Sequence, residues 1–339
     1  MKLFNLKQNQ EFSLEDHEDG ESAENGVMQR SLSASSVALG IFDGVHLGHQ
    51  SIIKAAQQEA LEKGLKSVIL TFENHPRSLT INNTPSLITD FQTRLKLFKE
   101  LGIDYVLAIK FSLEIMNMSP DKYLRNYLLG VLNAKCASAG YDHHFGKNRS
   151  GNVEFLKKFC KENDLSLTIK EALKIDGDLV SSSRIREQLS TGNIEEANKL
   201  LGRNFTLRGT VVHGDGRGKE LGFPTANLKI SDELIKPKVG VYLATAKLSP
   251  PSALNVEQSP AEVNRQQCLV NIGYRPTFSD KAELSIEAHL LNSSEDLYGA
   301  ELELEFVDKI RDEKKFSSKE ELIKQIKEDI SHVIHPPQP

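Results

Sequence analysis

An α/β domain built on a parallel sheet, followed by an antiparallel β domain and a closing helix, is the architecture this sequence predicts. Three observations carry that expectation. At 339 residues the chain exceeds a typical single domain and has material for two cores. From Ser36 to about Leu189, apolar runs alternate with amphipathic stretches, as in a parallel sheet with helices on both faces. Beyond Leu189, strand-like segments dominate, as in an antiparallel barrel or sandwich.

In chain order, Val37 to Phe42 is a short apolar run ending in glycine-rich punctuation, and Gln50 to Leu61 sets Ile52, Ile53, Ala56 and Ala60 at helical spacing. Strand, loop and helix are expected there. Further strands are expected at Val68 to Phe72, Tyr105 to Phe111, Lys135 to Ala139 and Leu167 to Ala172. Ser119-Pro120-Asp121 reads as an N-cap with proline at the first helical position, opening a helix through Leu129; Asn152 to Glu162 supplies another. Ile194 to Leu201 is a short helix leading into a strand at Phe205 to Val212. Strands at Val241 to Lys247, Cys268 to Ile272, Leu284 to Leu291 and Glu301 to Val307 follow, the last alternating strictly. Between them, Ser249 to Gln267 is a long polar connection with three prolines. Ser318, with Glu321 three residues on, forms a capping box for a helix carrying Leu322, Ile326 and Ile330 on one face.

The 42 Lys and Arg against 47 Asp and Glu give a formal charge of −5. Glu11 to Glu24 holds seven of the acids and no Lys or Arg, and reads as a solvated loop or arm. The rest is nearly neutral and offers no basic patch to replace the counterions of a nucleic acid. No apolar run approaches the roughly 18 residues needed to cross a bilayer, and Met1-Lys-Leu-Phe4 lacks the apolar core of a secretory signal. Cys136, Cys160 and Cys268 lie far apart with no Cys-x-x-Cys, and suit packing in a reducing compartment. A cytoplasmic protein without nucleic-acid or membrane partners is expected, its oligomeric state open.

His46 and His49 fall three apart where the first helix begins, so their rings share a face beside free backbone N–H groups and the positive end of the helix dipole. With Gly44 and Gly48 alongside, the pair reads as a phosphate site, the alternatives being surface histidines or a metal pair at i and i+3. Ser181-Ser-Ser-Arg-Ile-Arg186 opens another helix, with serine hydroxyls at capping positions and two arginines close behind, again an anion site. In the second half, Gly214, Gly216, Gly218 and Gly222 allow a backbone arch around phosphates, though not with Walker spacing. Pro224-Thr-Ala-Asn227 follows, and Thr225 and Asn227 alternate onto one side of an extended chain, offering two oxygens to a hard cation.

These elements resemble, in order, those of the prokaryotic bifunctional riboflavin kinase/FAD synthetases. Gly40-x-Phe42-Asp43-Gly44 leading into His46-x-Gly-His49 is similar to the first motif of the nucleotidylyltransferases. Thr71-Phe-Glu-Asn-His-Pro76 matches Thr-Phe-x-Pro-His-Pro with Asn74 in place of a proline, which bears on loop rigidity, and His75 retained. Gly140-Tyr-Asp-His-His-Phe-Gly146 resembles a flavin-adjacent loop, with His143 at a phenylalanine position and Asp142 and Phe145 kept. Ser182, Ser183 and Arg186 match the motif that holds the triphosphate.

In the second half the resemblance is to riboflavin kinase, from Gly209 through Asn227. It implies Gly214, Gly218 and Lys219 near ATP phosphates, Thr225 and Asn227 on Mg²⁺, and Glu287 in Ser285-Ile-Glu-Ala-His289 as the base. It also places Asn271 in a nucleotide and flavin loop and Arg311 near the flavin. The implied architecture is a Rossmann-like nucleotidylyltransferase domain over 1–188 and an antiparallel β-barrel kinase domain with a C-terminal helix over 189–339. The implied substrates are riboflavin, FMN and ATP, with Mg²⁺ as cofactor. The departures at Asn74 and His143 leave open a kinase with a weak adenylyltransferase half, and a flavin-binding regulatory protein is the alternative outside enzymes.

Overall fold

Parallel pairing organises the first half of the chain and antiparallel closure the second. The computed structural model describes residues 1–6, 32, 34–75, 85–214, 217–249, 265–275, 283–291 and 297–334. The acidic stretch, Pro76, most of the Ser249 to Gln267 connection and the side chain of Lys219 lie outside them. Two compact units result, Met1–Ser181 and Ser182–Pro339.

The first unit runs β1 (Lys2–Leu6), β2 (Ser35–Leu39), α1 (Leu47–Lys63), β3 (Lys66–Phe72), α2 (Phe91–Glu100) and β4 (Tyr105–Ile109). Then come α3 (Leu113–Met116), α4 (Pro120–Tyr123), β5 (Ala134–Gly140), α5 (Val153–Glu162), β6 (Ser166–Lys170) and a small hairpin, β7 (Lys174–Ile175) with β8 (Asp178–Leu179). The sheet order is β1-β4-β3-β2-β5-β6, every pair parallel. The chain steps outward from β2 through β3 to β4, then returns to β5 on the other side of β2. That reversal is the topological switch point, where an open α/β sheet forms its ligand crevice beyond the carboxyl ends of the strands. The loops after β2 and β5 flank it, and both carry site motifs.

Each predicted strand of this sheet is present, and β1 is an additional one. Apolar residues of the two sheet faces form separate cores, one holding Val37, Leu70, Leu107 and Leu124, the other Ala38, Ile53, Ile69, Phe98 and Val106. Ser119 caps α4 as expected, accepting from the Lys122 N–H at 3.3 Å. The helix then continues as a π-helix over Leu124–Val131, with the Leu132 N–H reaching the Tyr127 carbonyl at 3.0 Å. The wider turn keeps Tyr123, Leu124, Leu128 and Leu132 all buried. A strict 3.6-residue period would have rotated some of them outward.

The second unit runs α6 (Ser182–Thr191), α7 (Ile194–Leu201), β9 (Phe205–Val212), α8 (Arg217–Glu220), β10 (Ala226–Lys229), β11 (Gly240–Ser249), β12 (Arg265–Arg275), β13 (Glu283–Leu290), β14 (Glu301–Arg311) and α9 (Lys319–Ile334). Its six strands close in the order β10-β13-β12-β11-β14-β9, so the barrel holds and the sandwich does not. Alternate residues such as Tyr242, Val270, Ile272, Ala288, Leu304 and Phe306 fill the interior. On the outside, Val241, Leu269 and Val333 cluster with Leu243, Ile310 and Ile330, which seats α9 on the barrel wall. Ser318 caps α9 through the Glu321 N–H at 3.2 Å, while the Glu321 carboxylate reaches back one residue further than a capping box requires, to Ser317. The three cysteines are buried thiols, and burial pushes Cys160 up to about 11 and Cys268 up to about 12, which keeps them inert.

Candidate functional site

In the first unit, the β2–α1 loop presents the paired histidines. His46 is the N-cap of α1, and its Nδ1 accepts from the His49 N–H at 3.2 Å. An accepting Nδ1 leaves the ring proton on Nε2, so the other edge of His46 is a donor. The two rings stack at 3.6 Å and 17°, and the Phe42 ring meets His49 edge-on at 5.4 Å. The sequence spacing therefore brings the histidines together as expected.

The same loop is held from beneath. Asp43 is buried, its carboxylate accepting from the Ile88 N–H at 3.0 Å and the Thr89 N–H at 3.1 Å. The Thr89 hydroxyl in turn accepts from the Gly44 N–H at 3.0 Å. Asp43, a residue of the first motif, thus braces the loop from within. The Gly40 N–H donates to Leu70 at 3.2 Å, tying the loop's start to β3.

Asn74 lies beyond the end of β3, with His75 half-buried beside it. Its amide makes a two-point pair with Phe111, receiving the Phe111 N–H at 2.8 Å and donating to the Phe111 carbonyl at 3.2 Å. The rigidity that a proline supplies through its ring is supplied here by hydrogen bonds to the segment after β4. Asn74 is thereby a loop fastener, its amide already engaged.

After β5, Asp142 is exposed, whereas Phe145 is buried and bridged to Gly151. The His143 ring stacks on Phe145 at 5.4 Å and 26°. Burial, with the charges of His144 and Arg149 adding to it, lowers its pKa to about 4, so at neutral pH it is an uncharged flat ring. A linkage prediction follows. Because the unfolded chain protonates His143 near 6.5 and the folded chain only near 4, the unfolded state binds more protons between those values. The wild type is expected to lose stability as pH falls from 6.5 toward 4. His143→Phe should reduce the loss between pH 7 and 5 by about 2 kcal/mol, read from urea unfolding at the two pH values; an unchanged loss would contradict the half-buried, neutral ring.

Ser182, Ser183 and Arg186 open α6, which groups with the second unit, and Arg184 pairs with Glu196 at 3.0 Å.

In the second unit the barrel register assembles the candidate site. Asn227 on β10 pairs with Glu287 on β13, and Glu287 pairs with Asn271 on β12. Directly paired residues share a face, and Ala288, the neighbour of Glu287, is the one turned into the barrel. Asn227, Glu287 and Asn271 therefore form a row on the outer wall. Thr225, two residues before Asn227, donates its hydroxyl to Glu287 Oε2 at 3.3 Å.

Gly214 and Gly218 fit closely against this row, and Gly216 lies outside the described residues. A Cβ on Gly214 would lie 2.5 Å from Asn227 Cγ, and one on Gly218 would lie 2.5 Å from the Phe223 carbonyl and 3.1 Å from Thr225 Oγ1. His213 stacks on Tyr298 at 3.8 Å, and His289 Nδ1 donates to the Pro224 carbonyl at 2.8 Å. Neither histidine was singled out from sequence, although His289 follows Glu287 by two and so shares its face.

Val241 pairs with Asn271 on one side and Arg311 on the other, which carries the row to α9. Arg311 grips Asp329 with two nitrogens, at 3.0 and 2.8 Å. The fork of its guanidinium holds the C-terminal helix. Lys219 lies on α8, and its side chain is outside the described residues.

An α/β unit with a stacked histidine pair at a helix start, and a barrel unit with a carboxylate and two amides in one row and a hydroxyl bonded to the carboxylate, are the arrangement of a two-module phosphate-transfer enzyme. The FAD synthetase family matches residues 28–184 and the riboflavin kinase family residues 201–335. The bifunctional riboflavin kinase/FMN adenylyltransferase of Listeria monocytogenes is 36% identical over 86% of this chain and 89% of its own, and that of Bacillus subtilis 36% identical over 91% and 94%. The Escherichia coli K12 relative is 32% identical over 86% and 90%. The chain belongs to the bifunctional riboflavin kinase/FMN adenylyltransferase family. A solved structure described as a macrolide-efflux protein from Streptococcus pneumoniae aligns over 91% of this chain and 96% of its own, with a TM-score of 0.79 and 29% identity. Among the described residues, no helix is long and apolar enough to cross a membrane.

Proposed function

We propose that the second module transfers the γ-phosphoryl group of ATP to the 5′-hydroxyl of riboflavin, giving FMN and ADP. The first module then transfers the adenylyl group of a second ATP to FMN, giving FAD and pyrophosphate. The observation that supports this most strongly is the row Asn227, Glu287 and Asn271, with Thr225 bonded to Glu287. Glu287 accepts the hydroxyl proton as the oxygen attacks phosphorus, and Thr225 fixes the orientation of the carboxylate. In the first module no covalent intermediate is needed. His46 and His49 stabilise charge on the phosphates, and binding supplies in-line geometry. We assign the modules to 1–188 and 189–339 and the protein to the cytoplasm.

Both reactions call for a divalent cation with ATP, and we assign Mg²⁺. The donor set fits: Thr225 and Asn227 bring neutral oxygens to the carboxylate of Glu287, as a hard cation prefers. Among the described residues, no cluster of three or more His, Cys, Asp or Glu could hold a metal. When bound it would neutralise charge on the phosphates.

Gly214→Ala tests the assignment. The added methyl would displace Asn227 from the row, so riboflavin phosphorylation should fall roughly 10- to 100-fold, while FAD formation from supplied FMN stays at the wild-type rate. Undiminished phosphorylation would remove Asn227 from the site.

A further inference from the structure

One buried cation touches both loops of the first site. Arg94, on α2, is 2% exposed. Its Nη1 donates to the carbonyls of Ile41 at 2.9 Å and Phe72 at 3.0 Å, and its Nη2 to Glu73 at 2.7 Å. Ile41 enters the loop that carries Asp43 and His46; Phe72 and Glu73 lead directly into Asn74 and His75. The planar fork of a guanidinium offers several donors in a fixed geometry, so it can hold carbonyls from two segments at a set separation.

The loop it holds is strained. Phe42 and Val45 sit at φ 55° and 41°, and a β-branched residue in that region is a genuine outlier. Such backbone persists only where surrounding contacts over-determine it. Asp43 fastens the loop to residues 88 and 89, and Gln50 donates to the Val45 carbonyl at 3.0 Å. Arg94 adds what these do not: it joins the histidine loop to the loop after β3.

We infer that Arg94 is a positioning residue for adenylyl transfer, holding His46, His49 and His75 in register through the carbonyls of Ile41, Phe72 and Glu73. Its Nη1 and Nη2 are engaged with these carbonyls, and the inference rests on the adenylyltransferase reading of the first module. Lysine at this position keeps the charge and loses the fork; methionine loses both.

The test uses the full chain. Arg94→Lys and Arg94→Met are measured alone and combined with His49→Ala, following FAD formation from FMN, riboflavin phosphorylation and thermal unfolding. The kcat for FAD formation should fall roughly 10- to 100-fold in Arg94→Met and less in Arg94→Lys, with KM for FMN within about twofold. Riboflavin phosphorylation should not change. In the His49→Ala background either substitution should add little, because the register it disturbs serves His49. Wild-type kcat in both variants would overturn the inference, as would full additivity with His49→Ala or a loss accounted for by the unfolded fraction. A wild-type protein that phosphorylates riboflavin and makes no FAD would overturn the underlying reading, and the role of Arg94 with it.

Discussion

Glu287→Gln is expected to reduce riboflavin phosphorylation by roughly 10²- to 10⁴-fold, the range over which a positioned general base accelerates proton transfer. Glutamine has the size of glutamate and keeps an oxygen that can accept from Thr225, so the row across β10, β13 and β12 should survive. What it cannot do is take up the hydroxyl proton at that oxygen. FAD formation from supplied FMN should continue at the wild-type rate, because Glu287 belongs to the barrel unit and the histidine pair to the sheet unit. Equal loss of both reactions would contradict two separate sites. Undiminished phosphorylation would remove Glu287 from the chemistry.

The mirror experiment is His49→Ala. Removing one preorganised donor to developing charge costs about 10²- to 10³-fold in kcat where it has been measured, and a loss of that size is expected in FAD formation. The helix start should stay intact, because the hydrogen bond that caps α1 uses the backbone N–H of residue 49 and the ring of His46. The contact of His49 with Phe42 is lost, so a small drop in thermal stability accompanies the catalytic defect. Riboflavin phosphorylation should be unchanged. FAD formation at the wild-type rate would show that the stacked pair serves the loop and not the phosphates.

Much of this was legible in the sequence, and what was not has physical reasons. The strands of the sheet were readable because both their faces are buried, so apolar runs bounded by glycine and polar residues mark them. The His46 and His49 pair was readable because three-residue spacing at a helix start has one geometric meaning. Barrel against sandwich was not readable from the alternation alone and followed from the family resemblance: both alternate inward and outward, and closure depends on β9 meeting both β14 and β10. The π-helix at Leu124–Val131 was hidden because its residues read equally well as an ordinary amphipathic helix. β1 is five residues long and stands apart from the apolar alternation that marked the other strands.

Side-chain duties were the least visible. Asp43, Asn74 and Arg311 all stand in motif positions, yet each spends its polar atoms on the protein: on residues 88 and 89, on Phe111, and on Asp329. A motif records that a residue type is needed, and a ligand contact and a contact to a neighbouring loop leave the same trace. Arg94 did carry a signal. It sits among Phe91, Leu95 and Phe98 on the apolar stripe of α2, where an arginine stands out because a buried cation must find partners. His213 carried no such signal, since its stacking on Tyr298 joins segments far apart in the chain.

The most direct test of the central claim is a chromatographic time course of the full-length protein with Mg-ATP, started in parallel from riboflavin and from FMN. Two sites in one chain predict that riboflavin gives FMN first and FAD after a lag, with one ADP released per FMN formed and one pyrophosphate per FAD. FMN supplied directly should give FAD without the lag. Accumulation of FMN with no FAD from either start would contradict the adenylyltransferase assignment of the first module, and flavin binding without turnover would contradict both.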